Sequence, residues 1–314
     1  MVTGSLALGI DIGGTNTSFG IVDRRGQIVT QGRMKTTGHY TVHEYLDALV
    51  RQLQPLLDSA GKENISGVGV GAPNANYYTG EIAYAANLPW EGVIPLAKLL
   101  QDALRMKVTI TNDANAAALG EMIYGVAKGM KDFIMVTLGT GVGSGFVANG
   151  QLIYGADGFA GELGHLTAVR DGRPCGCGRK GCLETYASAT GIVRTANEWI
   201  EERKLASTLA DQRGKITAHS IHLAAEKGDA LALEIFDFTG KILGQTLADA
   251  VAITSPEAIV FFGGLARSGS YILEPTRRYM EENLLRVYKN KISFLQSALP
   301  DADAAILGAS ALVW

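Results

Sequence analysis

All three cysteines of the chain fall within one octet, Cys175, Cys177 and Cys182, and His165 lies ten residues before the first of them. Three thiols and one imidazole in so short a stretch form a Cys3His donor set, which suits a borderline-soft tetrahedral ion such as Zn2+. Four protein ligands leave no open position, so the ion would be structural. Gly176, Gly178 and Gly181 let the chain turn tightly around it. Redox-active or simply reactive thiols are the alternatives; an odd count in one octet is no disulfide framework.

Two further segments carry glycine and threonine after apolar runs. Asp11-Ile12-Gly13-Gly14-Thr15 and Gly139-Thr140-Gly141-Val142-Gly143 each let backbone N–H groups approach an anion, with a hydroxyl donor alongside. Facing one another across a cleft, they could hold a polyphosphate from both sides. Asp11 would sit where it can orient a metal-bound water. Gly263-Gly264, at the end of a later strand, would let a flat adenine approach the backbone. No Gly-Lys-Ser/Thr follows the first loop, which excludes a Walker loop. The second lacks the third glycine of a dinucleotide fingerprint and opens a strand, not a helix.

Asn112-Asp113-Ala114-Asn115 lies at a strand-to-helix junction, where helix capping and catalysis are equally good readings. The other histidines, 39, 43, 219 and 222, show no grouping and read as solvated helix or loop residues.

The elements that must position these groups follow from periodicity. Strands are expected at 6–10, 19–22 and 27–34, then a helix over 41–60 with one apolar face and Gly61 as its stop. Next come a strand at 65–72, a helix opened by Pro95, a strand at 108–111 and an alanine-rich helix to Tyr124. The order is βββαβαβα. It restarts with strands at 133–138, 144–148 and 151–154, with Asn149-Gly150 as a hairpin turn. Helices near 189–201, 218–226 and 230–253, a strand at 258–262, and helices over 271–285 and from about 302 complete the chain. Two halves with the same opening indicate an internal duplication.

Composition agrees. The 314 residues suggest two domains, and 47% hydrophobic with 19% charged residues is globular. A net charge of −3 gives no sign of a nucleic-acid or anionic-membrane partner. No apolar run reaches transmembrane length and no signal sequence is visible, so a reducing cytoplasm is expected. Glycine, 39 of 314, is in excess over the usual ~7%.

Together the motifs resemble those of the ROK family (repressor, open reading frame, kinase) of the sugar kinase/Hsp70/actin superfamily, over essentially the whole chain. Glu162-Leu163-Gly164-His165 and the Cys-Gly-Cys-Gly-x-x-Gly-Cys-x-Glu segment ending at Glu184 carry that resemblance most specifically, and the continuation Thr185 to Gly191 looks most like the bacterial glucokinase branch.

The resemblance implies two actin-like (ribonuclease H-like) α/β domains around a cleft, one of residues 1–116 plus 300–314, the other of 117–299 carrying the zinc segment. It implies ATP-dependent phosphorylation of a hexose 6-hydroxyl with Mg2+, glucose first, then N-acetylmannosamine, N-acetylglucosamine, allose or fructose. Asp113 matches the catalytic base. Asn87, Asn112, Glu162, His165 and Glu184 match sugar-binding residues, so His165 serves both metal and sugar. Gly71-Ala72-Pro73-Asn74 matches a sugar-side loop usually ending in Gly, and Asn16 stands where many relatives carry Lys. A homodimer is also implied. A sugar-responsive repressor is the other branch, but the ten residues before Asp11 are too few for a DNA-binding head. A sugar-binding protein without turnover is the third class.

Overall fold

The computed structural model describes residues 5–85, 87–203 and 207–314, with only the backbone of Asp301 and Ala302. The first half runs β1 (Leu6–Ile12), β2 (Asn16–Asp23), β3 (Ile28–Lys35), α1 (Val42–Ala60), β4 (Ile65–Gly71), β5 (Ile82–Ala83), β6 (Val93–Ile94), α2 (Leu96–Leu104), β7 (Val108–Thr111) and α3 (Asp113–Tyr124). The second runs β8 (Phe133–Leu138), β9 (Val142–Ala148), β10 (Gln151–Leu152), α4 (Glu184–Ala187), α5 (Ala189–Arg203), α6 (Ala218–Glu226), α7 (Ala230–Thr254), β11 (Ala258–Phe262), α8 (Ser270–Asn283), β12 (Ser293–Gln296) and α9 (Asp301–Ala311).

The strands form two five-stranded sheets of the same plan, β3-β2-β1-β4-β7 and β10-β9-β8-β11-β12. In each, three antiparallel strands are followed by two parallel ones. The repeated order is the predicted duplication, and the fold is the mixed α/β, actin-like one. Periodicity missed β12, an edge strand with no clean alternation and no fully buried residue, and the short β5–β6 pair.

Local chemistry explains the boundaries. Thr41 caps α1 by accepting the Glu44 N–H while the Glu44 carboxylate accepts the Thr41 N–H, a reciprocal box. Tyr45, Leu46, Leu49, Leu53 and Leu57 form its buried face, and Pro55 lies on the solvent side. β1 is buried along most of its length, as a central strand flanked by helices must be.

Many glycines sit inside elements rather than in loops, because helices pass directly over them. A Cβ at Gly9 would stand 2.2 Å from the Ile306 carbonyl oxygen, and one at Gly69 would stand 1.9 Å from that of Ala309, so α9 lies against β1 and β4. A Cβ at Gly120 would be 2.9 Å from the Gly308 Cα, where α3 meets α9. The other side of α3 faces β9, with Cβ positions at Gly143 and Gly145 only 2.9 and 2.7 Å from the methyls of Ala114 and Ala118. The alanine content of α3 is therefore a packing requirement: it runs between α9 and the second sheet. Separate apolar clusters lie on each sheet, one built around Leu8, Leu49 and Val70, the other around Val136, Leu243 and Ile259.

Candidate active site

β1, β4 and β7 are parallel, and Asp11, Gly71 and Thr111 lie level across them at their C-terminal ends. Asp113 follows at the first turn of α3. Asn112 is the helix cap: its Oδ1 accepts the Asn115 N–H at 2.7 Å, and it leaves Asp113 free of that task. Asp113 Oδ1 accepts the Ala114 N–H at 2.8 Å. Its side chain is surrounded by protein yet open to solvent, as at the floor of a cleft. Burial pushes its carboxyl well above the usual carboxylate range, against the pull of the Ala114 hydrogen bond. Burial also raises Asp11, helped by the charge of Asp113, to about 7.

The second half brings Glu162, His165 and Glu184 to the same place. The Ser144 hydroxyl on β9 accepts the Leu163 N–H at 3.1 Å and donates to the Gly161 carbonyl, which pins the Glu162 segment to the sheet. Gly164 passes so close to Val142 that a Cβ would stand 2.1 Å from its carbonyl oxygen. Glu184, on α4, accepts the Val142 N–H at 3.0 Å. Burial raises the Glu162 carboxyl; His165 opposes this, and the charges of Asp113 and Glu184 add to it. Carboxylates from both halves therefore share one field.

The glycine loops behave differently from a simple anion cradle. The Gly13 N–H is donated to the Asn16 carbonyl, and that of Gly139 to the Gly141 carbonyl, each at 3.0 Å. None of Gly13, Gly14, Gly139 and Gly141 adopts positive φ. Their missing side chains make room instead: a Cβ at Gly14 would lie 2.5 Å from the Asn87 carbonyl oxygen, and one at Gly141 would lie 2.1 Å from Glu184 Oε2. The hydroxyl-bearing residues Thr15 and Thr140 are exposed. Gly263, at φ +101, packs on the end of β8, and the Leu265 N–H bonds the Leu138 carbonyl at 3.0 Å, while Gly264 faces open space.

Asn74, the departure from Gly, sits at φ +52. Asn is among the residues that tolerate this region, and its amide donates to the Ala83 and Tyr84 carbonyls at 3.0 and 3.2 Å. The turn usually given to glycine is kept.

The ligating atoms of His165, Cys175, Cys177 and Cys182 lie within 4.8 Å of one another. Cys177 and Cys182 Sγ are 3.7 Å apart, as are Cys175 Sγ and His165 Nδ1. A tetrahedron with Zn–S bonds of ~2.3 Å has S···S edges of ~3.8 Å, so the donor set fits the ion. The other His165 nitrogen, Nε2, points toward Glu162 Oε2 at 4.0 Å. Glu184 Oε1 is 4.0 Å from Cys175 Sγ.

Sequence reasoning missed Arg173, a buried cation beside the cysteines, which carries no motif signal. It also read every remaining histidine as solvated, but His222 is half-buried on α6, with Nδ1 buried and lacking a hydrogen-bond partner.

Comparison with known proteins gives a consistent picture. A glucokinase of Halalkalibacterium halodurans is 38% identical, covering 98% of this chain and 94% of the relative. One from Thermotoga maritima is 33% identical, covering 98% and 96%. The crystal structure of a ROK family glucokinase from Streptomyces griseus, in complex with glucose and AMPPNP, superposes with a TM-score of 0.80 at 32% identity, over 98% of both chains. Residues 7–314, both sheets and the cysteine segment included, match the ROK family as one piece, and the chain belongs to that family.

Proposed function

We propose that the protein transfers the γ-phosphoryl group of ATP to the 6-hydroxyl of a hexose, with glucose as its substrate. The observation that carries this reading is the convergence of Asp113 and Asp11 at the strand ends with Glu162, His165 and Glu184 from the other half. The named relatives, all glucokinases, support glucose.

Asp113 is the base. The sugar O6 attacks the γ-phosphorus, the bond to the ADP oxygen breaks, and the hydroxyl proton passes to the Asp113 carboxylate. Phosphoryl transfer needs chiefly positioning and charge neutralisation, and base assistance adds about 10²–10⁴-fold. Asn87, Asn112, Glu162, His165 and Glu184 hold the sugar hydroxyls; a polar ring covered by the bound sugar rejects an epimer by leaving one member unpaired. Thr15, Thr140 and the backbone around Gly14 and Gly141 receive the phosphates, Gly13 and Gly139 shape those turns with their own N–H groups bonded inside them, and Gly263-Gly264 receive the adenine. Asp11, a hard oxygen donor, would orient the water shell of Mg2+ bound with ATP, and that ion would supply neutralisation of the phosphate charge.

His165, Cys175, Cys177 and Cys182 would hold a structural Zn2+, which would fix the shape of the loop that ends in Glu184. The same reading makes 1–116 plus 300–314 one domain and 117–299 the other, closing over the sugar to exclude water. Separate clusters on the two sheets support that division. A role in glycolysis, a cytoplasmic location and a homodimer go with it on family resemblance; among the described residues no helix is long and apolar enough to cross a membrane. A coupled ADP-release assay with a hexose panel tests the proposal: turnover should be highest with glucose, and absence of turnover with every hexose would overturn it.

A further inference from the structure

Arg173 joins the cysteine loop to the Glu184 helix. Its side chain is only 7% exposed. All five guanidinium N–H groups are used. Nε donates to Glu198 Oε2 at 3.1 Å, and Nη1 donates to the carbonyls of Thr185 at 2.7 Å and Gly191 at 3.3 Å. Nη2 donates to Thr195 Oγ1 at 2.9 Å and to Glu198 Oε2. The guanidinium also covers the Tyr186 ring, 4.5 Å from its centroid.

The main chain of the same residue is equally engaged. The Arg173 N–H donates to the Tyr186 hydroxyl at 2.9 Å, and its carbonyl accepts the Gly181 N–H at 2.8 Å. Cys175 is two residues on, Cys182 adjoins Gly181, and Glu184 adjoins Thr185. One residue thus touches both sides of the metal loop and the backbone that carries Glu184. Arg194 holds Glu198 from outside at 2.8 Å. Burial raises the Glu198 carboxyl, but hydrogen bonds from both arginines outweigh it and leave it below the usual range.

Desolvating a guanidinium is costly, and an apolar side chain would anchor a loop at least as firmly. What Arg supplies is a planar fork that fixes several acceptors at set angles. We propose that Arg173 is a positioning residue: through Gly181 and Thr185 it sets the Glu184 carboxylate relative to the cysteine loop and so sets the affinity for sugar. The inference rests on Glu184 being a sugar ligand, as proposed above.

The test compares Arg173→Met, Arg173→Lys and Glu198→Gln with the parent, as zinc-loaded and as cobalt-substituted proteins. Arg173→Met should raise the glucose Kd about tenfold or more, lower kcat by less and leave the ATP Kd unchanged. Lys should rescue little, since one ammonium cannot serve five directed bonds. The visible cobalt spectrum of Arg173→Met should shift without sugar present. Glu198→Gln keeps the Thr185 and Gly191 bonds and should have a smaller effect. A glucose Kd within about twofold of the parent, an unchanged cobalt spectrum, or an equal loss in Glu198→Gln would overturn the proposal. If Arg173→Met fails to fold, Arg173→Lys carries the same comparison. A parent that binds no hexose sinks the kinase reading, and the cobalt spectra alone then decide the role of Arg173.

Discussion

Asp11 and Asp113 flank a single glycine. A Cβ at Gly71 would stand 3.6 Å from Asp11 Oδ1 and 3.8 Å from the Asp113 Cα. Gly71 lies between them because three parallel strands end level, so a Cβ there would touch both aspartates at ordinary van der Waals distance. Their environments raise both, so each can hold a proton at a pH where ordinary carboxylates cannot.

Asp113→Asn should lower kcat by about 10²–10⁴-fold while glucose and ATP bind with near-parental affinity. Because burial raises this carboxyl, kcat/KM of the parent should fall on the acid side at a pH above the ordinary carboxylate range. Near-normal turnover of the variant would remove Asp113 from the role of base.

Asp11→Asn should separate activity from stability. A carboxyl raised from 3.8 to about 7 in the fold binds more protons there than in the unfolded chain. Stability therefore falls as pH rises through that window, by up to about 1.4 kcal/mol per unit, and is level above it. The variant loses that penalty, so its Tm relative to the parent should be higher at pH 8 than at pH 4. Its kcat should fall, and added Mg2+ should restore part of it without restoring Asp113→Asn. The opposite pattern of rescue would exchange the two roles.

Cys177→Ala should release the metal and weaken sugar binding together, since the loop that holds the ion leads into Glu184. Elemental analysis should find one zinc per chain in the parent and little in the variant. ATP affinity should fall less than glucose affinity, because the Gly13–Thr15 loop lies on other elements and the second loop meets this segment only through Glu184 and the start of α5.

Two glycine substitutions should fail in different ways. Gly69→Ala drives a methyl into the Ala309 carbonyl, 1.9 Å from the new Cβ, and backbone cannot yield cheaply. A loss of ~3 kcal/mol or more in denaturant unfolding is expected. Gly141→Ala meets only the far end of Glu184, at 2.1 Å. That carboxylate can swing aside, so the fold should lose under ~1 kcal/mol while the KM for glucose rises. Equal stability losses in both would contradict the role given to Gly141.

The sequence was most legible where chemistry is local. The Cys3His set, the Asn149-Gly150 turn and the Asn112-Asp113 junction all rest on neighbouring residues, and each has the expected geometry. The βββαβαβα order followed from periodicity for the same reason. What it hid depends on which helix crosses which strand. Gly9, Gly69 and Gly120 read as ordinary glycines until α9 lies on them. Arg173 carries no motif and is buried because α5 covers it through Thr195 and Glu198, and the N–H groups of Gly13 and Gly139, read as approaching an anion, are bonded inside their own turns.

The position of α9 sets a timetable for synthesis. This helix lies against β1, β4 and α3, yet it follows every strand of that sheet in the chain by almost two hundred residues or more. A nascent chain can form the five strands of the first sheet early, but one face stays bare until residue 311 has left the ribosome. During that interval the exposed β1 and β4 surface is the region a chaperone would guard, and α3, whose first turn carries Asp113, lacks the helix that packs on it at Gly120.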